Sequence, residues 1–195
     1  QESQALCMYL DLAAHLPDHA FIAERLGQIY ARRNDLKKAV FYIKKAMALN
    51  PDYPKIHLTL GHLYRRLAEE GNDSYWSKAL EHLDKAVQRN DTIECHMERG
   101  DTLYNKEDYE QASKDFRWVL ERDPENGSAL LSMAYIYFST GAYETAIQWF
   151  DRCMKAEGTA SIFPGLCVRA GQCCEHLGNI KKALEYYDRG LKENP

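Results

Sequence analysis

One spacing rule runs along this chain and leaves it little freedom in how to fold. Leu26-Gly27-x-x-Tyr30 is followed, twelve residues after the glycine, by Ala39-x-x-x-Ile43-x-x-Ala46, and Pro51 lies twelve residues after that alanine. Leu60-Gly61-x-x-Tyr64 opens the next copy 34 residues after the first. Its second half is Ala79-x-x-x-Leu83-x-x-Ala86, ending at Asp91 where a proline is expected. A third copy has Gly100, then Ala112-x-x-x-Phe116-x-x-Val119 and Pro124. The fourth has Met133-Ala134-x-x-Tyr137, then Ala146-x-x-x-Phe150-x-x-Cys153, and the fifth has Gly171, then Ala183-x-x-x-Tyr187-x-x-Gly190 and Pro195. A half copy, Ala5-x-x-x-Tyr9-x-x-Leu12 with Pro17, stands before them.

The spacing has a physical reading. Each half copy carries apolar residues at helical intervals, such as Leu26, Ile29 and Tyr30, then Val40, Ile43 and Met47. The glycine and the alanine let two helix backbones approach closely. The bulky residue four places after each alanine lies on the same helical face and fills the gap beside it. Proline after Asn50 and Asp123 stops one helix and begins the next turn. Helices this short are marginal alone, so each must take its stability from its neighbours.

This pattern resembles the tetratricopeptide repeat, a 34-residue helix–turn–helix unit with the form W-x2-L-G-x2-Y, then A-x3-F, then P. The resemblance covers essentially the whole chain and implies an all-α fold, a right-handed superhelix of stacked antiparallel helix pairs. The tryptophan position holds Ala23, His57, His96, Leu130 and Cys167, and Arg99 replaces the usual leucine of the third copy. The expected divisions are 1–19 for the second helix of a truncated repeat, then repeats at 20–53, 54–92, 93–126, 127–163 and 164–195, all in one solenoid. Because the pattern starts on a second helix, a fragment of a longer array is expected.

Two places break the rhythm. The second copy has six extra residues before Ala79, in the stretch Glu69-Glu70-Gly71-Asn72-Asp73-Ser74-Tyr75-Trp76. Gly71 is expected to cap one helix and Asp73 or Ser74 to start the next, giving a longer hairpin with Trp76 folded back on it. A partner contact through Tyr75 or Trp76 is the competing reading. The second break, Glu157 to Gly165, contains Gly158, Pro164 and Gly165, so a continuous helix is not expected there.

Composition narrows the function classes. With a formal charge of −4 the chain lacks the dense basic footprint of a nucleic-acid-binding domain. The uncharged stretch Gly127 to Tyr143 contains Ser132, Ser139, Thr140 and Gly141 and falls short of the ~20 residues of a membrane span. Gln1–Leu10 show no secretory signal. None of Cys7, Cys95, Cys153, Cys167, Cys173 and Cys174 forms a C-x-x-C, and reduced thiols in a cytoplasmic or nuclear protein are expected.

The resemblance also implies where a partner would lie, since first helices line the concave surface of such arrays. The corresponding positions give Arg25, Arg32, Lys55, Arg65 and Arg66 from the first two copies. They give Glu94, Met97, Glu98, Asp101 and Tyr104 from the third, Leu131, Tyr135 and Phe138 from the fourth, and Val168 and Arg169 from the fifth. Of these, Leu131, Tyr135, Phe138, Tyr104, Met97, Arg65, Arg66 and Arg169 are the candidate partner-binding residues. The fourth copy is the most informative. Beside a core stripe of Leu130, Met133, Ala134 and Tyr137 it carries a second apolar stripe, Leu131, Tyr135 and Phe138. A helix apolar all round needs cover on both sides, and either a partner or neighbouring repeats can supply it. Arg65 and Arg66 either pair acidic partner residues or answer Glu69 and Glu70 on a solvated face.

Relatives that grip the acidic C-terminus of chaperones use Lys, Asn and Arg at positions that here hold Glu24, Gln28, Thr59, Glu94 and Glu98, so that peptide is disfavoured. Arg25, Thr59, Glu98, Ser132 and Arg169 likewise replace the asparagine ladder of the repeats attached to O-linked sugar transferase. No phosphate loop, G-x-S-x-G or H-E-x-x-H is present. Cys153, Cys167 and Cys174 fall on core positions, and Pro17 interrupts the His15–His19 pair. No catalytic residue, metal site or cofactor is therefore assigned. The expected role is an adaptor or scaffold holding another protein or a peptide segment, including within a multi-subunit assembly. The alternatives are a substrate-recruiting arm of an enzyme whose catalytic domain lies elsewhere and an RNA-binding helical repeat.

Overall fold

The computed structural model describes residues 2–53, 55–156 and 165–193. Among them are eleven α-helices and no strand. They are α1 (Glu2–His15), α2 (Ala20–Arg32), α3 (Leu36–Leu49), α4 (Ile56–Glu69), α5 (Ser74–Arg89), α6 (Ile93–Asn105), α7 (Tyr109–Arg122), α8 (Gly127–Ser139), α9 (Tyr143–Lys155), α10 (Leu166–His176) and α11 (Ile180–Glu193). The fold is all-α, built of packed helical hairpins. The chain forms two compact units, Gln1–Thr102 and Leu103–Pro195. In the first, α2 pairs with α3 and α4 with α5, while α3 also packs on α4. In the second, α8 pairs with α9 and α10 with α11, while α7 packs on α8 and α9 on α10.

The hairpin turn is the same local solution used repeatedly. A residue at positive φ follows the first helix: Asn34, Glu107, Gly141 and Gly178, with φ of 60°, 66°, 75° and 72°. The next amide then reaches back to a carbonyl five residues earlier, as in Asp35→Tyr30, Asp108→Leu103, Ala142→Tyr137 and Asn179→Cys174, all at 2.9 Å. In three of these turns an acid or amide side chain also caps the second helix. Asp35 accepts from Lys38 N at 3.2 Å, Asp108 from Gln111 N at 3.3 Å and Asn179 from Lys182 N at 3.1 Å.

In three hairpins a glycine sits at a close approach of the two helices. A Cβ added at Gly27 would lie 2.6 Å from Ile43, one at Gly61 2.5 Å from Leu83, and one at Gly171 2.3 Å from Tyr187. These are the bulky residues four places after Ala39, Ala79 and Ala183. In the fourth copy Ala134 and Phe150 take the same roles, and both are fully buried. Ala39, Ala79, Ala112 and Ala146 are fully buried as well, and Ala183 nearly so. Interiors packed this closely resist added volume. Ala112→Leu is expected to cost about 1–3 kcal/mol by overpacking, read as a lowered urea midpoint. An unchanged midpoint would show that Ala112 is not at a tight crossing.

Tyr137, expected in the core stripe, is only half-buried. It lies face to face with Trp149 at 6.3 Å and 13°, and its hydroxyl accepts from Arg117 Nη2 at 3.2 Å. Ile136 is buried in its stead; a phenol keeps its hydroxyl where a donor or water can reach it. The six extra residues of the second copy lengthen its helices rather than only its loop. One period after the end of α2 falls at 66, whereas α4 runs to Glu69, and α5 has 16 residues where α3 has 14. Asp73 stands at the N-cap of α5 but makes no capping hydrogen bond, and Asn72 Oδ1 instead accepts from Ser74 N at 3.2 Å. Tyr75 stacks on Tyr64 at 5.7 Å, and Trp76 Nε1 donates to Asp73 at 3.3 Å. The break at Glu157–Gly165 lies, apart from Gly165, outside the described residues.

All six cysteines are thiols, Cys7 exposed and the others buried. Burial pushes Cys153 and Cys173 up to about 11, which leaves them protonated and poorly nucleophilic at neutral pH.

Candidate partner-binding faces

In the first unit the candidate cations are already engaged. Arg65 on α4 donates through Nε to Glu98 Oε1 at 2.8 Å and through Nη1 to Glu69 at 2.7 Å. His62 lies 2.9 Å from the same Glu98 oxygen. Burial opposes ionisation of Glu98, but the hydrogen bonds from His62 and Arg65 outweigh it and hold the carboxyl below its ordinary range. Asp101, one turn on, is pushed up to about 6, first by burial and then by the charges of Glu98 and Glu69, against Arg65. Arg66 points elsewhere, donating to Ala31 O at 3.2 Å and Asn34 Oδ1 at 2.6 Å. It thus ties α4 to the C-terminal end of α2, where a cation is favoured. Lys55 pairs with Glu94 at 2.5 Å, and Arg25 lies 4.9 Å over the Phe21 ring. Met97 is half-buried on α6.

In the second unit the remaining candidates lie along two helices. Leu131, Tyr135 and Phe138 follow one another at helical spacing on α8, all half-buried and all packed on the core of the unit. Tyr135 meets Phe150 edge to face at 5.7 Å and 90°. Arg169 on α10 holds its guanidinium 5.8 Å from the Tyr135 ring and 5.9 Å from the Phe138 ring. Its Nη1 donates to Gln172 at 3.1 Å. Tyr104 lies apart from this group, its hydroxyl 3.1 Å from Ser139 Oγ and its ring 5.4 Å from Tyr109.

Two residues that the sequence did not nominate complete the second group. His176 stacks on Tyr143 at 4.4 Å and 4°, and Phe138 sets its ring roughly perpendicular to both, at 6.2 Å from His176 and 5.8 Å from Tyr143. The available signal was spacing. Arg169, Gln172 and His176 stand at i, i+3 and i+7, one face of α10 turned to the Leu131, Tyr135 and Phe138 face of α8. Among the described residues no cluster of three or more His, Cys, Asp or Glu gathers as a metal site, and no helix is long and apolar enough to cross a membrane.

The comparisons with known proteins agree with this architecture. Family models of the tetratricopeptide repeat match residues 97–156, and residues 20–53 and 164–195. Tetratricopeptide repeat protein 21B of Xenopus laevis is 25% identical over 175 residues, which is 89% of this chain and 13% of that protein. Outer dynein arm-docking complex subunit 4 of Xenopus laevis is 28% identical over 115 residues, 59% of this chain and 21% of that protein. The chain thus spans a minor part of these relatives. Among solved structures, MamA superposes with a TM-score of 0.73 at 20% identity, covering 89% of this chain and 91% of that one. YrrB, described as a tetratricopeptide-repeat protein with an unusual peptide-binding site, gives 0.69 at 16% identity, over 96% and 92%. At these identities the likeness speaks for the fold. Repeat models over most of the chain, on helical hairpins with the glycine–bulky-residue contacts described above, place this protein in the tetratricopeptide-repeat family.

Proposed function

We propose that this chain is a protein-interaction module, an adaptor or scaffold that holds a peptide segment or helix of another protein against α8 and α10. The observation that carries the reading is the second apolar face of α8. Leu131, Tyr135 and Phe138 are left only half-buried on the same helix that fully buries Leu130, Met133 and Ala134. Rings of this kind, held rigidly by neighbours, are the usual anchors of an interface. Family membership and the peptide site named for YrrB support the reading, and the docking-complex relative fits a place in a multi-subunit assembly. The role is binding without catalysis, in a cytoplasmic or nuclear setting that keeps five buried thiols reduced.

The test is selection of peptides from a random phage-displayed library on the immobilised 195-residue chain. Tyr135→Ala with Phe138→Ala is expected to weaken the selected peptides by about 2 kcal/mol or more, roughly thirtyfold. Both rings also touch the core, so binding is measured cold, where circular dichroism shows the variant folded. Tyr137→Ala, which loses the stack on Trp149 instead, should keep the peptides. Undiminished binding by the folded double variant, or a selection that enriches nothing, would sink this reading.

A further inference from the structure

We propose that the α8–α10 face is selective for a segment carrying a carboxylate next to a large apolar side chain, the carboxylate on Arg169 and the apolar group on Leu131, Tyr135 and Phe138. This rests on the interaction reading above and adds the chemistry of the partner to it.

Of the other cations at corresponding positions, Arg65 is occupied by Glu98 and Glu69, Lys55 by Glu94, and Arg66 by Ala31 and Asn34. Arg169 is exposed, and among the described residues it has no carboxylate partner. The one acid of α10, Glu175, is hydrogen-bonded to the Tyr187 hydroxyl. The guanidinium is nevertheless held in place, by Gln172 at one nitrogen and by the Tyr135 and Phe138 rings beside it. A planar group fixed in this way has four further N–H donors and loses little freedom on gaining a bidentate acceptor. The rings also displace water from one side of the charge, which strengthens an ion pair formed there.

The same contacts fix the order of groups on the partner. Since the guanidinium lies within 5.9 Å of both ring centres, a carboxylate bound to it stands beside any side chain seated on those rings. A basic segment would meet like charge at this point. A single arginine also lacks the row of cations that a nucleic-acid backbone requires.

The test uses the peptides selected on the 195-residue chain. Enrichment of Asp or Glu beside Phe, Trp, Leu or Met is expected. Changing that acid to its amide should weaken binding to the wild-type chain about tenfold, the scale of one charge-assisted pair at a partly covered site. In Arg169→Gln the same change should have almost no effect, while the apolar contribution persists; Arg169→Glu should favour basic peptides instead. Peptides that depend on Tyr135 and Phe138 but show no acid preference would overturn the carboxylate assignment and leave the interaction reading intact. An acid preference that survives in Arg169→Gln would overturn it as well, as would displacement of the peptides by single-stranded RNA. A selection that yields nothing overturns both readings.

Discussion

Phe150→Ala is expected to unfold much of the second unit at temperatures where the wild-type chain is fully folded. Phe150 is fully buried, in a cluster that includes Leu130 and Ala134 of α8, Cys153 of α9 and Cys167 and Ala170 of α10. Truncating a fully buried phenylalanine removes about 3–5 kcal/mol, against a total of about 5–15 kcal/mol for a typical domain. Neighbouring hairpins in a repeat array stabilise one another, so the loss should reach α8, α9 and α10 together. Amide exchange should therefore accelerate across these helices as a block, with a matching fall in the urea midpoint. The control is Phe41→Ala. Phe41 is 62% exposed, and its loss should stay within about 0.5 kcal/mol. Equal effects from the two substitutions would mean that the register assigned to the repeats is wrong.

The sequence disclosed this core because its message is repeated. Glycine at 27, 61 and 171, with the bulky residue sixteen or twenty-two places on, is a local pattern that one ruler detects, and Ile43, Leu83 and Tyr187 sit against those glycines. The phase of α8 was harder to read. With Leu130, Leu131, Met133, Tyr135, Ile136, Tyr137 and Phe138 in one helix, apolar periodicity gives no single face, so Ile136 and Tyr137 could not be ordered by pattern. Arg65 and Arg66 look equivalent as letters, yet adjacent residues on a helix point about 100° apart. One therefore meets Glu98 and the other the turn at Asn34. Spacing puts His176 on the same face of α10 as Arg169 and Gln172, but its contacts with Phe138 and Tyr143 arise only when hairpins stack.

The pairing of His57 with His82 was equally hidden, and it leads to an opposed pair of pH effects in the first unit. The two rings, buried on α4 and α5, bring their Nδ1 atoms to 3.0 Å, and Tyr64 stacks on His82 at 5.6 Å. Burial, then the neighbouring His57, lowers His82 from 6.5 to about 4. The unfolded chain therefore takes up this proton as pH falls below 6.5, while the folded chain refuses it until about 4. Stability from His82 is present above 6.5 and is lost across that window, on the order of 3 kcal/mol in all. Asp101 runs the other way. Its carboxyl is raised from 3.8 to about 6, so the folded chain takes the proton first and gains stability as pH falls through 6 towards 3.8. That gain is of similar size, on the order of 3 kcal/mol, and the two contributions offset each other through mildly acidic pH. Separating them is the test. His82→Gln should leave the Asp101 effect unopposed, so that its stability relative to wild type rises as the solution is acidified from neutral. Asp101→Asn should do the reverse: more stable than wild type at neutral pH, with the advantage vanishing as pH falls to the ordinary carboxyl range. Urea midpoints of the three proteins across this range give the differences directly, and titrations common to all three cancel. Parallel curves would show that neither group is held away from its ordinary proton affinity by the packing described here.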